Sequence, residues 1–239
     1  GAGLIRAVEE RGLTIVQSAD DCPDAVIQGF FQDVTWHDLS EAALAIRGGA
    51  LYIATNLDLV IPRERGLMVG NGALVGAVSL STGVEPISGG KPEPEIFLAA
   101  AESLGSRKPL AIGDNLDTDI KGAVSAGIDC LHVLTGLASA RDICLAPPEV
   151  RPTYLCDDMR GLNEPYPEVT IDGTAVEVGS ARAHWTGDAI SLTAGEEIDV
   201  SVSARLNLDG YRALVHAAWI AADSGAKLDA AIGEITVVR

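Results

Sequence analysis

Positive charge is scarce in this 239-residue sequence, which has 17 lysines and arginines against 34 aspartates and glutamates. The formal net charge of −17 argues against a protein that binds nucleic acid or an anionic membrane surface. An anionic substrate would have to be attracted by a local group of cations, because the overall field of the protein opposes it. We therefore expect neither a nucleic-acid partner nor a membrane partner.

Long apolar runs and a cysteine framework are missing as well. No run approaches the ~18 residues that cross a bilayer, and no signal peptide opens the sequence. The four cysteines lack metal-ligand spacing, which is typical of reduced thiols in a cytoplasmic protein. Hydrophobic residues make up 47%, enough for a globular core. The sequence opens with glycine and not with methionine, so we expect it to be the interior of a longer polypeptide.

The stretch from residue 110 to residue 120 is the most informative part of the chain. Residues 110–112 (LAI) form a short apolar run that predicts a buried strand. Gly113 then turns the backbone, and Asp114 follows at the carboxyl end of the strand, where α/β sheets place their ligands. Helical spacing of apolar residues resumes at Ile120.

Asp114, Asp117 and Asp119 therefore fall on one strand-to-helix turn. Acidic residues near a helix start are often caps, and Asp117 or Thr118 can cap this helix. Asp114 precedes the helix and is not needed as its cap. Closely packed carboxylates repel each other unless a cation lies among them, and such hard oxygen ligands suit Mg²⁺. The turn is a candidate metal site.

These residues resemble a known family. Residues 113–119 (GDNLDTD) resemble the fourth motif of haloacid-dehalogenase-type (HAD) phosphatases, in the form used by the NagD-like and phosphoglycolate/p-nitrophenyl phosphatase branch with a C2-type cap domain. Residues 90–94 (GKPEP) resemble the lysine motif of that branch, and residues 131–136 (LHVLTG) resemble its next strand and turn. The resemblance covers residues 1–160 and implies an α/β fold, the C-terminal half of a Rossmann-like HAD core joined to an α/β cap.

The resemblance also implies roles for individual residues. Asp114 corresponds to a Mg²⁺ ligand, Asp119 to an acid that supports the metal shell or orients the lysine, and Lys91 to a catalytic residue that stabilises charge in the transition state. Asn56 and Asp58, in a string that the family carries in its cap, become candidate substrate-binding or cap-closure residues. A turn whose Asn and Asp side chains bond their own backbone explains Asn56 and Asp58 equally well.

The implied activity is Mg²⁺-dependent hydrolysis of a small phosphorylated metabolite, of the glycerol 3-phosphate or 2-phosphoglycolate class, through an aspartyl-phosphate. The family's nucleophile motif, DxDGT, is missing from these residues, and we expect it upstream of the chain. A non-catalytic HAD-like module that binds a phosphate ligand or a regulatory partner is the alternative. The retained Lys91, Asp114 and Asp119 argue against that alternative.

The resemblance implies that residues 1–85 are the C-terminal part of a cap domain and residues 86–162 the second half of the HAD core, and the change in pattern beyond the linker predicts an appended small α+β domain (166–239). The last begins with a hairpin around Asp172-Gly173 and contains a helix over residues 207–224. It carries no catalytic motif, so we expect it to tune stability, assembly or substrate access, and homo-oligomerisation is left open. A first strand is predicted at residues 13–16 (LTIV).

Overall fold

The computed structural model describes all residues from Gly1 to Arg239. The chain divides into two compact units, Gly1–Gly105 and Ser106–Arg239. Both combine helices with parallel strands, which confirms the predicted α/β class. None of the helices has the length and apolar character needed to cross a membrane. The three-part division inferred from the sequence remains a prediction.

The first unit is a small α/β layer. Its helices and strands are α1 (Ala2–Glu9), β1 (Ala25–Gln28), α2 (Trp36–Arg47), β2 (Leu51–Ala54), β3 (Val60–Arg63), β4 (Gly66–Val69), α3 (Asn71–Thr82), β5 (Ile87–Ser88) and α4 (Glu95–Ser103). Strands β1, β2 and β5 form a parallel sheet in that order, while β3 and β4 pair as an antiparallel hairpin. The buried core of this unit lies between α2, β2 and α3, and consists of Ile46, Tyr52, Ala54, Val75 and Val78.

The strand predicted at residues 13–16 is wrong, since the segment has no strand pairing. Leu13 and Val16 are 59% and 40% exposed, so the run buries little apolar surface. A short apolar run gives a strand only where a neighbouring strand can take up its backbone hydrogen bonds. At this place the chain forms a loop between α1 and β1 instead.

The second unit contains three sheets and one long helix. Its elements are β6 (Leu110–Gly113), α5 (Lys121–Ser125), β7 (Asp129–Val133), α6 (Ala140–Cys144), β8 (Tyr154–Cys156), β9 (Val169–Asp172), β10 (Ala175–Val178), β11 (Ala181–Trp185), β12 (Ile190–Ala194), β13 (Glu197–Ile198), β14 (Ser203–Leu206), α7 (Leu208–Asp223) and β15 (Glu234–Val237). Strands β6, β7 and β8 are parallel, β9 to β13 form an antiparallel meander, and β14 pairs with β15 in parallel. The predicted hairpin at Asp172-Gly173 and the predicted helix α7 are both confirmed.

One hydrophobic core runs through most of the second unit. It joins Ile143, Cys144 and Leu155, which come from α6 and β8, to the buried faces of α7 and the meander. Two side chains of α7 also bond backbone carbonyls across this core: Trp219 Nε1 donates to Ile143 O at 2.8 Å, and Arg212 Nε donates to Leu155 O at 3.1 Å. The segment from β9 onward is therefore packed against α6 and β8 over a continuous buried surface.

Candidate active-site loops

The candidate site of the second unit begins where β6 ends. Asp114 directly follows the strand, and residues Leu116–Ile120 form one π-helical turn that leads into α5. The side chain of Asn115 accepts a hydrogen bond from the Asp117 backbone N–H at 3.0 Å and so caps this turn. The sequence predicted Asp117 or Thr118 for that role, but the helical turn starts earlier, and an Asn side chain is as good a cap as an Asp.

The carboxylate of Asp114 is held by the loop that follows β7. Its Oδ2 accepts a hydrogen bond from the Leu137 N–H at 2.9 Å. A Cβ atom on Gly136 would lie only 1.7 Å from this oxygen, so the carboxylate occupies the space that a side chain at 136 would fill. The Asp114 carbonyl in turn accepts from the Ala138 N–H at 3.0 Å. The hydrogen bonds to the carboxylate reach Oδ2 alone, which leaves Oδ1 for a ligand.

Asp119 closes the turn that presents Asp114. Its Oδ2 accepts hydrogen bonds from the backbone N–H groups of Asp114, at 3.3 Å, and of Asn115, at 3.2 Å. A Cβ atom on Gly113 would lie 2.2 Å from Asp119 Cβ, so the bare glycine lets the side chain approach the strand end. Asp119 therefore orders the backbone around Asp114.

His132 is a polar residue of this region that the sequence reasoning did not assign to the site. It lies in β7, opposite Gly113 in the parallel ladder, and is fully buried. Its Nε2 lies 3.3 Å from the Asp114 carbonyl oxygen. Burial lowers the pKa of His132, although the contact with Asp114 opposes that shift, so the neutral ring is favoured. Its signal in the sequence is a single polar residue inside an apolar strand.

Asn56, Asp58 and Lys91 lie in the first unit, beyond the carboxyl ends of β2 and β5. Lys91 Nζ is 3.9 Å from Asp58 Oδ2, and the Lys91 carbonyl accepts from the Leu57 N–H at 3.2 Å. The Asn56 side-chain oxygen accepts a hydrogen bond from the Asp58 N–H at 3.3 Å. This is the self-bonded turn that the sequence offered as the alternative to a substrate-binding role for Asn56. The structure thus brings Lys91 and Asp58 together, while the Asn56 side chain bonds the backbone of its own turn.

Glycines near this group explain a motif that resembles a dinucleotide fingerprint, GNGALVG at residues 70–76. A Cβ atom would lie 2.3 Å from Asp58 O if placed on Gly70, and 2.2 Å from Leu57 O if placed on Gly72. Both glycines are therefore required by close backbone packing of α3 on the loop that carries Asp58.

A complete metal site is not formed by this chain alone. The structure contains no group of three or more His, Cys, Asp and Glu side chains that could hold a metal ion. Asp114, Asp117 and Asp119 therefore do not form the metal-binding group that the sequence suggested. Asp114 nevertheless fits one position in a Mg²⁺ shell, because it is an anionic oxygen ligand with one oxygen left over from its hydrogen bonds.

A nucleophile motif is likewise absent. The sequence has one Asp-Gly-Thr string, residues 172–174, but Thr170 stands where DxDGT has its first aspartate. In the structure this string is the turn of the hairpin between β9 and β10, with Gly173 at a φ of 60°. It is a structural turn and not a phosphate-binding loop.

Comparison with known proteins finds similarity to one hydrolase family and to proteins named as phosphatases. The profile of the HAD-hydrolase-like family matches residues 88–162. The D-glycerol 3-phosphate phosphatase of Mycobacterium tuberculosis is 40% identical over 219 residues, which cover 90% of this chain and 60% of that protein. The acid sugar phosphatase of Staphylococcus aureus is 44% identical over 161 residues, which cover 66% of this chain and 61% of that protein. The chain thus spans about 60% of the length of the curated relatives it matches.

Among solved structures, the glycerol phosphate phosphatase of M. tuberculosis in complex with magnesium superposes with a TM-score of 0.74 at 36% identity. The match covers 99% of this chain and 66% of that one. The match therefore includes the loop after β6 that carries Asp114, the loops that carry Asp58 and Lys91, and the C-terminal segment from β9 to β15.

Proposed function

Because the chain belongs to the HAD-like phosphatase family, we propose that the protein carrying it hydrolyses small phosphomonoesters with the help of Mg²⁺. Glycerol 3-phosphate is the first substrate to test and 2-phosphoglycolate the second. Support for the first comes from the relative named for D-glycerol 3-phosphate, which aligns with 90% of the chain. The protein acts in the cytoplasm in this proposal, in keeping with its free cysteines, three of which are buried.

The observation that carries the proposal is the way Asp114 is held. Its N–H, its carbonyl and its Oδ2 all take part in hydrogen bonds within the second unit, while Oδ1 is left to a ligand. Asp114 is the residue of this chain that would hold Mg²⁺. When bound, the ion would supply positive charge against the oxygens of the phosphoryl group. Asp119 contributes by fixing the backbone on which Asp114 is carried.

The residues of the first unit receive their roles from the same family assignment. Lys91 offers a cation that stabilises negative charge on phosphate oxygens as it develops. Asp58, at 3.9 Å, holds the ammonium group of Lys91 in place and is a candidate substrate or cap-closure residue. Asn56 is a candidate of the same kind, although its side-chain oxygen already bonds the Asp58 N–H. Covalent transfer to an aspartate would use a residue outside these 239, because no DxDGT is present.

The test compares three proteins: the complete gene product, its Asp114→Asn variant and the 239-residue chain alone. We expect Mg²⁺-dependent hydrolysis of p-nitrophenyl phosphate and glycerol 3-phosphate from the first and none from the chain alone. Asp114→Asn should remove most turnover and keep the melting temperature, because the variant loses an anionic ligand but keeps the shape of the side chain. An Asp114→Asn protein with unchanged rate and Mg²⁺ dependence would show that Asp114 is structural.

A non-catalytic phosphate-binding module is the second candidate, favoured by the absence of a three-ligand metal group in the chain. It predicts that the complete gene product binds inorganic phosphate, measured by calorimetry, without hydrolysing any phosphomonoester. Turnover by the complete gene product would exclude it.

A further inference from the structure

His132 is a buried polar residue to which the proposed function gives no role. Its exposed fraction is 0%, and its neighbours along β7, Cys130, Leu131 and Val133, are buried and apolar. In the ladder between β6 and β7 it stands opposite Gly113, the residue before Asp114. The imidazole therefore lies at the end of the strand that carries the proposed metal ligand.

The partner of the ring fixes the position of its proton. Nε2 lies 3.3 Å from the carbonyl oxygen of Asp114, and a carbonyl oxygen only accepts, so Nε2 must carry the hydrogen. Nδ1 is then a bare acceptor, and it is buried without a hydrogen-bond partner. A leucine would fill the same space without burying an unpaired nitrogen. Packing alone does not account for a histidine here.

We propose that His132 is a positioning residue for Asp114. The Asp114 carbonyl accepts two hydrogen bonds, from the Ala138 N–H on the loop and from His132 on the neighbouring strand. The Asp114 N–H donates to Asp119, and Asp114 Oδ2 accepts from the Leu137 N–H. Together these bonds fix the peptide and the carboxylate of Asp114, so that Oδ1 is presented to the cation. The inference rests on the proposed role of Asp114 as a Mg²⁺ ligand.

The experiment measures Mg²⁺ activation of p-nitrophenyl phosphate hydrolysis by the complete gene product and three variants. His132→Leu should raise the Mg²⁺ concentration for half-maximal rate by about 10- to 100-fold, the usual cost of losing a group that orients a metal ligand. The KM for substrate at saturating Mg²⁺ should stay nearly constant. His132→Gln should restore most of the Mg²⁺ response, because its amide N–H can donate to the same carbonyl. The matched control is His216→Leu, since the ring of His216 packs on Trp219 in α7 and should leave the response unchanged.

A second measurement needs no substitution. Nitrogen-15 NMR of the wild-type imidazole should show the tautomer protonated at Nε2, and a ring protonated at Nδ1 would overturn the inference because Nε2 could not donate. A wild-type protein without Mg²⁺-dependent hydrolysis would overturn the proposed function itself. An active wild type with a folded His132→Leu variant of unchanged Mg²⁺ response would overturn the role of His132 alone.

Discussion

Gly136→Ala is the sharpest single test of the loop that holds Asp114. The added Cβ would lie 1.7 Å from Asp114 Oδ2 and 2.2 Å from its Cγ, well short of the 3.4 Å at which ordinary contact begins. Either the carboxylate or the loop has to move by more than an ångström. Both movements break the 2.9 Å hydrogen bond from the Leu137 N–H to Oδ2.

The size of the effect follows from that displacement. Misplacing a catalytic group by ~1 Å commonly costs about 100-fold in rate, which corresponds to about 2.7 kcal/mol of barrier. We expect kcat/KM of the complete gene product for p-nitrophenyl phosphate to fall by at least that factor. Crowding of a well-packed site and the loss of one hydrogen bond should also lower the free energy of unfolding by about 1–3 kcal/mol.

Gly76→Ala is the matched control. A Cβ atom at Gly76 meets nothing within 4 Å, and the residue lies in the middle of α3. Alanine should stabilise that helix by up to about 1 kcal/mol, because glycine is the poorer helix former, and should leave turnover unchanged. A Gly136→Ala protein that keeps wild-type turnover and Mg²⁺ dependence would refute the reasoning. It would mean that the active enzyme does not hold the Asp114 carboxylate against residue 136.

Two further predictions concern stability. Trp219→Phe removes the donor to Ile143 O and leaves a buried carbonyl unpaired. The free energy of unfolding, measured in urea, should therefore fall by about 1–3 kcal/mol, while kcat stays unchanged. An unchanged urea midpoint would show that this hydrogen bond contributes nothing to stability. Burial lowers the pKa of His216 from its ordinary value of 6.5, so the unfolded state binds the proton more readily than the folded state. The contribution of the buried neutral ring to stability is therefore complete above pH 6.5 and is lost as the pH falls below it. His216→Leu should therefore make the free energy of unfolding depend less steeply on pH between about 7 and 5, and parallel pH profiles for variant and wild type would contradict the assignment.

Local patterns predicted the elements that carry the site. Residues 110–112 are apolar and are followed by Gly113, and they form β6 with Asp114 directly after it. The expected burial of this strand is wrong, because Leu110 and Ile112 are 41% and 36% exposed. The Asp172-Gly173 dipeptide predicted the hairpin of β9 and β10, and the apolar spacing beyond Asn207 predicted α7. Each of these elements is determined by residues that are close together in the sequence, so local sequence patterns are sufficient to predict it.

The contacts that hold Asp114 could not be predicted in this way. Gly136, Leu137 and His132 are separated from Asp114 by 18 or more residues, and the loop and strand that carry them meet it only through the parallel pairing of β6 with β7. A glycine after a strand or a histidine within one has many explanations when read alone. The choice among them depends on tertiary packing, which also decided that residues 13–16 would not form a strand.

The C-terminal segment has a physical connection to Asp114 even though it contributes no catalytic motif. The loop that bonds Asp114 through Leu137 ends at Ser139, which caps α6. Ile143 of α6 is fully buried in the same core as α7, and its carbonyl accepts the hydrogen bond of Trp219. Because a close-packed core transmits displacement, a shift of α7 as a whole would reach the loop through α6, whereas a single side-chain substitution in α7 leaves both helices in place. The segment from β9 to β15 can therefore influence the candidate site by holding this helix in place, without any group of its own touching a substrate.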